Sequence, residues 1–98
     1  MSSLFNFKAR PQGTVNGAVT GTSADITMAA GADTVRLTNI GNQVIFWRAN
    51  TGTASVTTDT PLLPNSSEVF SVPPATTIIA AIAAGAGSTL YVTPGSGN

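Results

Sequence analysis

The sequence predicts an all-β domain, a small antiparallel β-sandwich or barrel of the jelly-roll or immunoglobulin-like kind with an extended N-terminal arm. Three observations indicate it. Runs of β-branched and aromatic residues, about seven or eight in all, recur at intervals of about 8 to 12 residues. Turn residues separate these runs, with 10 Gly and 6 Pro in a chain of 98. No segment combines helical periodicity with an N-terminal cap and a stop signal.

The chain is expected to hold one domain, because 98 residues match the usual size of about 100 to 150 for a single core. Composition divides it into three parts. Residues 1–12 are interpreted as the extended arm, residues 13–95 as the sandwich domain, and residues 96–98 as a flexible Gly-containing tail.

The N-terminal segment has its own pattern. Phe5 and Phe7 alternate with polar neighbours, Lys8 and Arg10 add two positive charges, and Pro11 ends the stretch. In an extended chain the two aromatic side chains share one face, which is typical of an arm that docks on a neighbouring chain. A first strand or a frayed terminus is the alternative.

Two hairpins are predicted from turn and alternation signals. Residues 34–40 and 44–49 flank Gly41-Asn42, and residues 76–83 and 88–93 flank a Gly-containing turn. Each pair is expected to be antiparallel. Alternation directs Arg36 to solvent and the neighbouring aliphatic side chains inward. The predicted core is Val35, Leu37, Val44, Phe46, Val69, Ile79, Leu90 and Val92.

Charge is scarce. Charged residues make up 8% of the chain, against about 25% in an average globular protein. Four basic residues balance four acidic ones, and a net charge near zero favours association over colloidal repulsion. A homo-oligomer or larger assembly is therefore expected. Nucleic acid is not an expected partner, because binding it requires a basic patch.

The residues that usually carry catalysis are nearly absent. The chain has no His and no Cys, so an enzyme would depend on carboxylates, Lys8 or Tyr91. The four acids are Asp25, Asp33, Asp59 and Glu68. Each lies beside turn residues, where a solvated or capping role is usual. No enzyme activity, cofactor or metal is expected, and GAGS at 85–88 lacks the Lys and the helix of a phosphate loop.

The apolar segment near the C-terminus is not expected to enter a membrane. Its run from residue 78 to residue 84 is interrupted by Gly85 and Gly87, whereas a membrane helix needs about 20 apolar residues. The N-terminus lacks the apolar region of a secretory signal, so no leader is expected. The segment is interpreted as two strands joined by a turn.

Trp47 and Arg48 lie in the most apolar predicted strand. Trp is common both in cores and at interfaces, and beside Arg it can stack on a sugar or a base. Both placements stay open at this point. With Phe5, Phe7, Lys8 and Arg10, these two residues are the candidate partner-binding residues.

The segment from Asp33 to Gly95 resembles small virion proteins of tailed bacteriophages. The resemblance lies in a strand pair like TVRLTNIGNQVIFWRAN, a Thr- and Asp-containing loop like TTDTPLLPNSSEVFSVPP and a last hairpin like TTIIAAIAAGAGSTLYVTPG. It implies a structural decoration or cement protein, or a related head or tail component, made in the host cytoplasm and located in the virion. It also implies the major capsid protein or another virion protein as partner.

Two other classes use similar folds. A carbohydrate-binding or host-attachment sandwich would expose Trp47 and Tyr91 in a groove. A secreted adhesin or pilus-like subunit is disfavoured by the absence of a secretory signal.

Overall fold

The computed structural model describes residues 8–10, 12–50 and 52–96. This part of the chain is all-β, as the sequence predicts, and its seven strands form one open antiparallel sheet without a helix. The strands are β1 (Lys8–Ala9), β2 (Val15–Val19), β3 (Ala24–Gly41), β4 (Ile45–Ala49), β5 (Thr60–Leu62), β6 (Ser66–Ala83) and β7 (Ser88–Ser96).

Two long strands organise the sheet, whose order is β1-β7-β3-β6-β4-β5, with β2 also paired to β7. β3 and β6 each contain 18 residues and pair with each other near both ends. Residues 34–41 of β3 pair with β7 on their other side. Residues 79–83 of β6 instead pair with β4. β3 therefore pairs with both β6 and β7, and β6 pairs with both β3 and β4.

Both long strands are irregular where their partners change. The β3–β6 register shifts between Thr27 and Ala32 and again between Ala32 and Thr34. In β6 the irregularity coincides with Pro73-Pro74 and with Ala75, whose φ is +66°. The backbones approach closely there, since a Cβ on Gly31 would lie 2.8 Å from Ala75 Cα. Proline and glycine thus allow the long strands to change direction without a loop.

Both predicted hairpins are wrong. β4 pairs with β5 and β6 rather than with β3, and β7 pairs with β3, β2 and β1 rather than with β6. The reason lies in the turn after β3. Gln43 N–H donates to Ser88 Oγ at 2.9 Å, and Ser88 Oγ–H donates to Gln43 O at 3.0 Å. The start of β7 is thus fixed beside the end of β3, and β4 takes another partner.

Five of the eight predicted core residues are buried: Val35, Leu37, Ile79, Leu90 and Val92. Val44, Phe46 and Val69 are only partly buried. The buried residues nearest to them in β4 and β6 are instead Ile45, Trp47 and Val72. Successive strand residues point to opposite faces, so an error of one residue exchanges the two faces, and an uninterrupted apolar run does not reveal which face is inward.

Trp47 is a central core residue. It is 7% exposed, and its ring centroid lies 4.7 Å from that of Phe70, with the planes inclined by 58°. Its Nε1 is buried and has no hydrogen-bond partner among the described residues. Of the two placements left open by the sequence, the structure selects the core.

We expect Gly41→Ala to lower the free energy of unfolding by about 2 to 3 kcal/mol. Gly41 has a φ of +145°, and a Cβ there would lie 2.6 Å from Ser88 Cα. Urea denaturation measures the change. Gly85→Ala is the matched control, because a Cβ at Gly85 meets nothing within 4 Å. Equal stability of the two variants would contradict the close packing of Gly41 against Ser88.

We expect Ile45→Ala to lower the free energy of unfolding by about 2 to 5 kcal/mol, and Phe46→Ala to lower it by less. Ile45 is fully buried, whereas Phe46 keeps part of its surface in solvent. Thermal and urea denaturation of the two variants test which face of β4 is inward. A larger loss of unfolding free energy for Phe46→Ala would show that Phe46 lies on the inward face of β4, as the sequence predicted.

Candidate binding surface

The predicted arm is partly built into the sheet. Lys8 and Ala9 form β1 and pair with Ser96 and Gly95 of β7. Lys8 is exposed there. β1 therefore lies within the predicted arm, and its partner β7 ends at residue 96, the first residue of the predicted tail. Phe5 and Phe7 lie outside the described residues.

Arg10 binds its own chain. Its guanidinium donates to Gly31 O at 2.8 Å and to Ala30 O at 3.3 Å, at the irregular part of β3. Its backbone N–H donates to Pro94 O at 2.9 Å. Arg10, one of the candidate partner-binding residues, therefore has an intramolecular role, in which it fastens the N-terminal segment to the irregular part of β3.

Trp47 and Arg48 point to opposite faces of β4. Arg48 is exposed, and its Nη1 donates to Thr53 O at 3.3 Å. Trp47 lies in the core, so its ring is not presented to a partner at the surface. β7, β3 and β6 separate β4 from β1 in the sheet. The structure therefore does not bring Arg48 together with Lys8 and Arg10 in one site.

A different surface emerges on the outer side of β2, β7, β3 and the first part of β6, which we call the Tyr91 face. Its side chains form three cross-strand rows. The rows are Asn16, Tyr91, Thr38 and Ser67; then Thr93, Arg36 and Val69; then Ala18, Thr89 and Ile40. Arg36 is the one charged side chain in these rows.

The Tyr91 face carries exposed apolar groups between hydroxyls. Ile40 is 51% exposed and Tyr91 is 39% exposed. Both line a shallow groove of about 410 Å³ with Arg36, Thr38 and neighbouring threonines. Because Ile40 pairs with Thr89, two residues before Tyr91, the two apolar side chains are diagonal neighbours on adjacent strands.

Several hydroxyls of the Tyr91 face hydrogen-bond to one another. Thr38 Oγ1 and Ser67 Oγ are 2.9 Å apart, and Thr14 Oγ1 and Thr93 Oγ1 are also 2.9 Å apart. Groups that already have partners lose less when water is removed than groups without them. The face is thus suited to being covered by another surface.

The other features relevant to chemistry are few. Within residues 8–10, 12–50 and 52–96, no three His, Cys, Asp or Glu side chains lie close enough together to hold a metal ion. No helix in that part of the chain is long and apolar enough to cross a membrane. The apolar segment at residues 78–83 forms the second part of β6.

No match was found among protein-family models, curated proteins or solved structures. The interpretation of this surface therefore depends on its own geometry. The sequence contained part of the signal, since the alternation of residues 34–40 directs Arg36 outward. It did not show that β7 and β6 lie on either side of β3, and only that arrangement creates a continuous face.

We expect Arg10→Ala to lower the free energy of unfolding by about 1 to 3 kcal/mol, because it removes two charge-assisted hydrogen bonds to backbone carbonyls. Lys8→Ala is the matched control, since it removes the same charge from an exposed position. Chemical denaturation of both variants measures the difference. If Lys8→Ala is equally destabilising, net charge rather than the Arg10 contacts explains the effect.

Proposed function

We propose that the chain is a non-enzymatic structural protein of a bacteriophage particle. In this proposal it binds the capsid in many copies as a decoration or cement protein, or serves as a related head or tail component. Its partner is the major capsid protein or another virion protein, and it reaches the virion after synthesis in the host cytoplasm. The observation that carries the proposal is the Tyr91 face, a nearly uncharged sheet surface with exposed Ile40 and Tyr91.

We interpret the fold as a small sandwich. β2, which pairs with β7, also packs over the first part of β3, since a Cβ on Gly17 would lie 3.1 Å from Ile26 Cγ1. Ala83 N–H donates to Thr20 O at 2.8 Å, which joins the ends of β6 and β2. These contacts support two layers, in which β3 and β6 pass from one layer to the other.

The size of the Tyr91 face favours attachment at more than one point. Four strands about 4.8 Å apart and five residues about 3.3 Å apart cover roughly 300 Å², against about 800 Å² per partner in a standard interface. At about 25 cal/mol per Å², even a wholly apolar patch of this size contributes only about 7 kcal/mol. Association itself costs about 4 to 15 kcal/mol. One face alone would bind weakly.

The N-terminal arm supplies a second point of attachment in this proposal. Phe5 and Phe7 precede β1 in the sequence and supply two aromatic side chains for a contact. β1 fixes the place where the arm meets the sheet. Two linked contacts raise the effective affinity, because the second forms at the high local concentration set by the first. Repetition around a shell multiplies this stabilisation.

A second candidate function is carbohydrate binding or host attachment. The groove with Tyr91, Arg36 and threonine hydroxyls favours it, because a ring face beside hydrogen-bonding groups suits a sugar. The burial of Trp47 removes one of the two aromatic residues on which that function was expected to depend. Tyr91 is the remaining candidate for stacking.

We expect Ile40→Glu to reduce occupancy of the protein in native particles at least tenfold, because it places an unpaired charge in the proposed contact. Val56→Glu is the matched control, since Val56 is also an exposed aliphatic residue, at 42%, and lies outside the Tyr91 face. Quantitative mass spectrometry of purified particles measures occupancy.

Equal occupancy of the two variants would exclude the Tyr91 face as the attachment surface. Absence of the unmodified protein from particles would overturn the proposed function. Glycan binding that is lost in Tyr91→Ala, in a protein absent from particles, would establish the second candidate.

Deletion of residues 1–7 should leave the melting temperature within about 2 °C of the full chain and reduce particle occupancy at least tenfold. The deletion ends before Lys8 because β1 belongs to the sheet. Thermal denaturation and particle mass spectrometry give the two values. Full occupancy with unchanged particle stability would show that the arm has no part in attachment.

A further inference from the structure

We infer that residues 1–7 of one copy add as a strand to the open edge of β6 in a second copy. The inference rests on the proposed many-copy function and identifies the surface that receives the arm. Residues 66–71 of β6 pair with β3 on one side. On their other side no strand of the described part of the chain pairs with them. We call residues 66–71 the β6 edge.

The β6 edge has the properties of a strand-accepting site. In an antiparallel ladder, about half of the peptide groups of an edge strand point away from the sheet. None of the six residues is buried. Their sequence, SSEVFS, contains no Lys or Pro, the residues that commonly block further pairing at an edge. The prolines of β6 come only after it, at Pro73 and Pro74.

Other edges of the sheet are less suitable. β5 has three residues, and one of them is Pro61. The centre of β2 is Asn16, Gly17 and Ala18, which offers little apolar surface. The β6 edge instead carries Val69 on its outer side and Phe70 toward the core, both partly exposed. Aromatic side chains of an added strand can therefore pack on Val69 or on Phe70, because aromatic and β-branched residues on neighbouring strands stabilise each other.

The arm matches this edge. Phe5 and Phe7 alternate with polar residues, so an added strand places both on one face of the extended sheet. Lys8 follows them and is exposed, and Glu68 on the edge is exposed and of opposite charge. The two residues that follow this segment, Lys8 and Ala9, already form an edge strand beside β7 in their own chain.

The position of β1 favours a second copy as the acceptor. β7 and β3 lie between β1 and β6, so the distance to the β6 edge of the same chain is about three strand spacings, roughly 14 Å. Seven extended residues span at most about 24 Å. Folding back would leave about three residues for pairing, whereas a second copy can receive the whole segment. One arm and one edge per copy give a head-to-tail assembly.

Cysteine cross-linking tests this arrangement, because the chain contains no Cys. Asn6→Cys and Ser67→Cys variants of the full chain are mixed under mild oxidation. The mixture should give at least tenfold more linked pair than a mixture of Asn6→Cys with Ala18→Cys, which places the thiol on the edge strand β2. Equal linking to both positions would overturn the inference, as would intrachain closure of an Asn6→Cys/Ser67→Cys double variant at high dilution.

Self-association gives an independent measurement. Val69→Lys should weaken association of the full chain at least tenfold by sedimentation. Val56→Lys, which changes net charge equally at an exposed site outside the Tyr91 face, should weaken it by less than twofold. Absence of self-association in the full chain overturns the inference. If the unmodified protein nevertheless occupies particles, the proposed function still stands. A protein that cross-links as expected but never enters particles refutes the function and keeps the inference.

Discussion

The pairing of β3 with β6 is the contact on which the other strands depend. β7 and β4 hydrogen-bond directly to one of these two strands, and β1, β2 and β5 attach through β7 or β4. The two strands pair near both ends and change their other partners in between. A shift of this ladder by one residue would place the inward side chains of one long strand opposite the outward side chains of the other, and would so expose apolar residues of one of them.

The bend of the long strands is stabilised from outside the ladder. Arg10 donates to the carbonyls of Ala30 and Gly31, and Ala75 packs against Gly31 without space for a Cβ. Inside the core, the buried amide of Asn39 donates to Gln43 O of the following turn at 2.8 Å and to Leu62 O of β5 at 3.0 Å. The N-terminal segment therefore has a structural role as well as the proposed role in attachment.

The scarcity of charge connects this fold to its proposed function. Only eight residues of 98 are charged, so a sheet face can be covered while few ions lose water. On the Tyr91 face, hydroxyls bond to one another and Arg36 is the single charge in its three rows. Such a face suits a fixed place in an assembly, where one arrangement of neighbours is repeated many times.

The sequence by itself determined the all-β class, the scarcity of charged and catalytic groups, and the inward positions of Val35, Leu37, Leu90 and Val92. Alternation and turn residues are local signals, and they record which side of a strand is apolar. Strand partners are not local. The contact between Gln43 and Ser88 joins residues 45 positions apart and assigns β7 to β3, so only the tertiary structure decided the pairing, the burial of Trp47 and the composition of the Tyr91 face.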